Sequence, residues 1–151
     1  MSAECGVQNE NPKDWGADLR SSLRTPHSAL VLFAHGARDP EWAAPFRAIA
    51  TRVAASRKDL SVKLAFLEFQ TPALADAIGE LVAEGYPAIH IAPLFMAQGG
   101  HLKHDVPKLL AAIRAQHPVL QIELLPAIGD VDCMREAIAG WLINTVPEQV
   151  A

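Results

Sequence analysis

Four short apolar runs, each followed by a longer amphipathic stretch, constrain this chain more than any other feature: ALVLFAH (29–35), VKLAFLE (62–68), AIHIAPLF (88–95) and VLQIELL (119–125). The stretches that follow, Glu41 to Ser56, Ala73 to Glu84, Leu102 to Gln116 and Val131 to Ile143, read as amphipathic helices. A run such as ALVLFA is apolar on both faces, which suits a strand covered from each side, and strands joined by crossover helices must lie parallel. The pattern predicts a flavodoxin-like three-layer α/β sandwich with a four-stranded parallel sheet. Asp39-Pro40 and Thr71-Pro72 mark two helix entries, and Gly85 stands where a helix-ending glycine is favoured.

The periodicity starts near Ala29, so residues 1–28 are expected to be a polar, loosely ordered leader and 29–151 a single domain. With 151 residues the chain can enclose an apolar core without disulfides or a structural metal. A net charge of −4 supplies no general field for nucleic acid or an anionic membrane, so neither is expected as a partner. Cys5 and Cys133 have no metal-finger or CxxC spacing and read as two reduced thiols, which points to a cytoplasmic address. The leader holds no apolar core of a secretory signal, and no run approaches membrane-spanning length. Neither an internal repeat nor a low-complexity segment is visible.

In an open parallel sheet the binding crevice lies outside the carboxyl ends of the strands. There the sequence places His35-Gly36-Ala37-Arg38-Asp39, Glu68-Phe69-Gln70, Met96 to His101, and Pro126 to Asp130. His35 closes a strand, and Gly36 permits a sharp turn and a close ligand approach; a strand-capping histidine has the same local signature. Gly99-Gly100 frees the backbone at His101, just before a helix whose first turn holds Leu102, Lys103 and His104, and the unpaired N–H groups there suit anions such as carboxylates. Glu68, at an apolar strand's end, needs a partner, a cation or a cleft. His104, Lys103 and Lys108 are also compatible with a solvated helix face, whereas His90 within the third run and His117 before Pro118 read as structural.

Two imidazoles from different loops with a nearby carboxylate can hold a divalent first-row metal in an incomplete shell. Neutral imidazole also accepts protons near neutral pH. A metal carrier built on His35 and His101 would use the same residues. A nucleotide-binding module is disfavoured because the loop after the first run has neither GxGxxG nor GxxxxGK[ST].

The segments LVLFAHGARDPEW, LAFLEFQTPALADAI, IAPLFMAQGGHLKHDVPKLL and ELLPAIGD resemble the small CbiX-type class II chelatases of cobalamin and siroheme synthesis, over roughly Ala29 to Ile143. The resemblance implies a chelatase-like sandwich that inserts Co²⁺ into sirohydrochlorin or a related tetrapyrrole without ATP, with Fe²⁺ or Ni²⁺ as alternative metals. It implies no tightly bound cofactor, the metal being a co-substrate. His35 then serves as proton acceptor and metal ligand, His101 as second ligand and Glu68 as a further candidate ligand. Leu94, Phe95, Met96, Ala97, Gln98, Gly99 and Gly100 would line the tetrapyrrole site, with Arg38 and Lys103 meeting its carboxylates. A short chelatase has one lobe, so the resemblance also implies a homodimer; Ile138, Trp141 and Leu142 are candidate interface or core positions.

Overall fold

The computed structural model describes residues 28–97 and 99–147, apart from the side chains of His101 and Leu102. Its elements alternate as expected. Strand β1 (Ser28–Ala34) leads through a short 3-10 turn (Pro40–Ala43) into α1 (Ala44–Ser56); β2 (Leu60–Phe66) is followed by α2 (Leu74–Ala83). Then come β3 (Ala88–Pro93), α3 (Gly100–Gln116), β4 (Gln121–Leu124) and α4 (Asp132–Thr145). The sheet is wholly parallel in the order β2-β1-β3-β4. The expected leader, residues 1–28, lies outside the described residues except for Ser28, which already belongs to β1.

Alternation along the strands divides the apolar residues between two layers. On one face Ala29, Val31, Phe33, Ala65, Ile89 and Ile91 pack with Leu74, Ala77, Ile78 and Leu81 of α2 and Val106, Leu110 and Ile113 of α3. On the other, Ala34 and Phe66 meet Ala43, with Trp42, Phe46 and Leu64 packed around them. The Trp42 and Phe46 rings lie 4.7 Å apart. Phe33, Leu74, Ile78, Leu81, Ile89 and Ile91 are fully buried, and each contributes on the order of 1.5–3 kcal/mol of transfer free energy.

The edges of the sheet are polar, which discourages pairing with other chains. On edge strand β2, the Lys63 ammonium donates to Glu80 Oε2 at 2.7 Å and Glu84 Oε1 at 2.8 Å, bridging to α2. These two carboxylates, Glu80 first, raise the Lys63 pKa above the ordinary lysine value. On the opposite edge, Glu123 faces His90 in register, with His90 Nδ1 2.7 Å from Glu123 Oε2. His90 is 3% exposed, buried as its place inside a strand predicts.

Three boundaries differ from the sequence pattern for local reasons. Pro45 stands in the first turn of α1, and the chain enters that helix through the 3-10 turn rather than directly at Glu41. The β2 ladder stops at Phe66, although the N–H groups of Leu67 and Glu68 still donate to the carbonyls of Ala34 and His35. Val119, expected in the fourth strand, is exposed in the turn after α3, which is closed by the Leu120 N–H donating to His117 O.

Candidate functional site at the carboxyl ends of the strands

The chain runs outward from β1 to β2 and then returns across β1 to build β3 and β4, so its order reverses between β1 and β3. Such a switch point leaves a crevice above the strand ends, since the connections diverge to opposite faces. His35 emerges there from β1, and Leu94 to Ala97 emerge from β3.

His35 is exposed, and its ring lies 4.5 Å from that of Phe95 at 56°. Phe95 in turn packs edge-on against Phe33, 5.4 Å away. At 2% exposure Phe95 is a core residue: it supports the imidazole from below and offers no face to a ligand, unlike the expected lining role. The inward turn after β3 accounts for this, since the Leu94 N–H donates to Phe33 O at 2.8 Å and draws the segment back over β1. Leu94 is half-buried, while Met96, Ala97, Gly99 and Gly100 are exposed.

The β1 and β2 loops are fastened together. The Glu68 N–H donates to His35 O at 3.0 Å, and Gln70 Nε2 donates to Asp39 O at 3.2 Å. Gly36, at φ 86°, lies so close to the Glu68 carbonyl that an added Cβ would sit 1.9 Å from its oxygen. Only glycine meets both conditions, so its place after His35 has a backbone cause. Asp39 Oδ1 accepts from the Glu41 N–H at 2.9 Å and holds the far end of the loop. The Glu68 side chain is exposed beside His35 in this pairing of loops, and Arg38 is exposed at the rim.

Helix α3 opens at Gly100, with Gly99 as its cap in extended conformation and no side-chain capping bond. His101 therefore occupies the first turn of α3, although its side chain and all of Gln98 lie outside the described residues. Lys103 and His104 are exposed on the same turn. A second close approach sits behind the β3 loop: Gly129 lies against the carbonyl of Met96, where a Cβ would come within 1.7 Å of the oxygen. Two concavities, of about 410 Å³ beside His90 and Glu123 and about 340 Å³ beside Tyr86 and His117, lie away from these strand ends. Exposed residues instead follow the ends of β1, β2 and β3, namely His35, Glu68, Phe69 and Met96, and make this edge an open shelf.

The sequence placed Phe69 at the strand ends but gave it no role. It is exposed, has φ 62°, and the Arg38 guanidinium lies over its ring at 5.4 Å. An aromatic residue gives no hint of a left-handed backbone, and EFQTP contains no glycine that would announce the turn.

Solved structures share this architecture. A cobalamin (vitamin B12) biosynthesis CbiX protein from Marinobacter aquaeolei, 28% identical, matches with a TM-score of 0.68 over 78% of this chain and 95% of its own. The sirohydrochlorin chelatase SirB from Bacillus subtilis subspecies spizizenii, solved in complex with cobalt, has the same fold at 23% identity and a TM-score of 0.67; this chain spans 50% of its length. The fold is thus that of the chelatases.

Sequence relatives narrow the class. A sirohydrochlorin cobaltochelatase of Saccharolobus islandicus is 37% identical over 125 residues, 79% of this chain and 93% of the relative. One from Methanococcus aeolicus is 35% identical over 92 residues, 58% of this chain but only 62% of the relative. The CbiX family profile matches residues 29–144, and the chain belongs to the CbiX family. Among the described residues no helix is long and apolar enough to cross a membrane.

Proposed function

We propose that this chain is a sirohydrochlorin cobaltochelatase, inserting Co²⁺ into a sirohydrochlorin-type tetrapyrrole without ATP. The observation that carries the reading is His35, an exposed imidazole at the switch point of a CbiX-family sheet, backed by the buried ring of Phe95. The 37% identity to the Saccharolobus enzyme over nearly all of that protein supports the choice of reaction.

Insertion exchanges one divalent ion for two pyrrole protons, so the protein must receive protons and release a metal at one place. His35 is the proton acceptor and a metal ligand; its ring is held by packing, which leaves its nitrogens to the reaction. His101 is the second ligand and Glu68 the third, each on a different connection. Such a shell stays open, so ring nitrogens can replace protein ligands; a closed four-ligand site would trap the ion. The macrocycle lies on the shelf against Met96 and Ala97 and beside Leu94 and the 98–100 segment, while Arg38 and Lys103 meet its peripheral carboxylates.

The active form is a cytoplasmic homodimer. This is supported by the exposed Ile138, Trp141 and Leu142 on α4, and by the chain's spanning half the length of the cobalt-bound SirB. The exposed free thiol of Cys133 accords with a reducing compartment.

The test is an anaerobic assay with sirohydrochlorin and Co²⁺, Fe²⁺ or Ni²⁺, followed by visible absorbance. Co²⁺ insertion is expected, and His35→Ala is expected to slow it at least about 100-fold. Insertion of Fe²⁺ or Ni²⁺ in preference to Co²⁺ would reassign the metal. Tight metal binding with no insertion would make the protein a carrier instead.

A further inference from the structure

Among the described residues, Phe69 is the only non-glycine with positive φ, at 62°. A bulky L-residue in this region is strained by about 1–2 kcal/mol, so its surroundings must impose the conformation. They do so from both sides. The Glu68 N–H donates to His35 O, the Glu68 carbonyl rests on Gly36 where no side chain fits, the Gln70 N–H donates to Glu68 O at 2.8 Å, and Gln70 Nε2 is tied to Asp39 O. Yet the ring so positioned is 58% exposed, so burial within this chain does not offset the strain.

Its neighbours show what the exposed ring can serve. The Arg38 guanidinium lies over it at 5.4 Å, a cation–π contact that holds the cation at the rim of the shelf. Met96, 56% exposed, follows β3 as Phe69 follows β2, and β1 with His35 runs between those strands. The two strands that these residues follow stand two spacings, about 10 Å, apart, on either side of the strand that carries His35.

We propose that Phe69 is a specificity-determining residue for the tetrapyrrole: its ring packs on the flat macrocycle along the β2 flank and steadies Arg38 for a peripheral carboxylate. The inference rests on the chelatase reading given above. Because Phe69 acts on the macrocycle and not on the ion, its removal should move one Michaelis constant and leave the other.

The experiment compares the parent with Phe69→Ala, Phe69→Gly and Phe69→Tyr, varying tetrapyrrole and Co²⁺ in turn and recording thermal unfolding. The Ala and Gly variants are expected to raise the tetrapyrrole KM about tenfold with the Co²⁺ KM unchanged, and Tyr to behave like the parent. The midpoint of Phe69→Gly should stay within about 1 °C of the parent or rise, because glycine relieves the strain. An unchanged tetrapyrrole KM in the Ala and Gly variants overturns the proposal, as does a fall of more than about 5 °C with both constants shifting together. If the parent inserts no metal, the chelatase reading fails separately, and titration of metal-free sirohydrochlorin decides. About tenfold weaker binding by the Ala and Gly variants sustains the contact; equal binding, or no binding to the parent, overturns it.

Discussion

Helices α2 and α4 both carry apolar residues at helical spacing and meet opposite fates. In α2, Leu74, Ala77, Ile78 and Leu81 are all fully or almost fully buried against the sheet. In α4 no residue is buried, and Met134, Ile138, Trp141 and Leu142 fall at helical spacing along one exposed stripe, with Trp141 62% exposed. A lone exposed leucine is ordinary, but an apolar stripe that includes a tryptophan is what protein interfaces are made of. One helix is covered by its own sheet. The other is left for a second copy in the assembly proposed here.

The largest effect that can break this comparison lies in α2. Leu81→Ala removes a fully buried side chain and is expected to cost about 2–5 kcal/mol in equilibrium denaturation. A cost comparable to that of a surface substitution would mean that α2 is not the fixed layer described. In α4, Ile138→Asp combined with Trp141→Asp should leave protomer stability within about 1 kcal/mol while shifting sedimentation from dimer to monomer. If the parent sediments as a monomer, or the double variant keeps the dimer's mass, the stripe is not the interface.

The smallest effect concerns the clasp on α2. Lys63→Met is expected to cost no more than about 1 kcal/mol at neutral pH, since the carboxylates of Glu80 and Glu84 are largely exposed. The folded state raises the Lys63 pKa, so this stabilisation is fully present below the ordinary value of 10.5 and disappears as pH climbs through the higher folded value. Denaturation curves of parent and variant should therefore converge in alkali; divergence there would mean that the clasp is not electrostatic.

The same contrast explains which parts of the molecule the sequence could announce. The order of elements and the parallel sheet followed from apolar runs and their spacing, most clearly at β1 and β3, where burial on both faces leaves a composition unlike that of a surface strand. His35-Gly36 was legible for a similar reason: glycine after a strand-end histidine has few uses, and contact with the Glu68 carbonyl is one of them. Phe95 was misread as a ligand-facing residue because an apolar side chain at a strand end carries no mark of whether the next bond turns inward. The α4 stripe was left open between core and interface, since its periodicity is identical whichever chain covers it. Phe69 was placed at the strand ends without a role because its backbone conformation is imposed by the loop after β1, through His35, Gly36 and Asp39, rather than by its own chemistry.

Gly129 joins two of these themes. Its backbone lies under the carbonyl of Met96, and its own carbonyl accepts from Arg135 Nη1 of α4 at 2.8 Å. The loop after β3 and the outward-facing helix thus meet at one residue. Any side chain placed at Gly129 would have to displace the Met96 carbonyl, so the β3 loop and the first turn of α4 are expected to shift together.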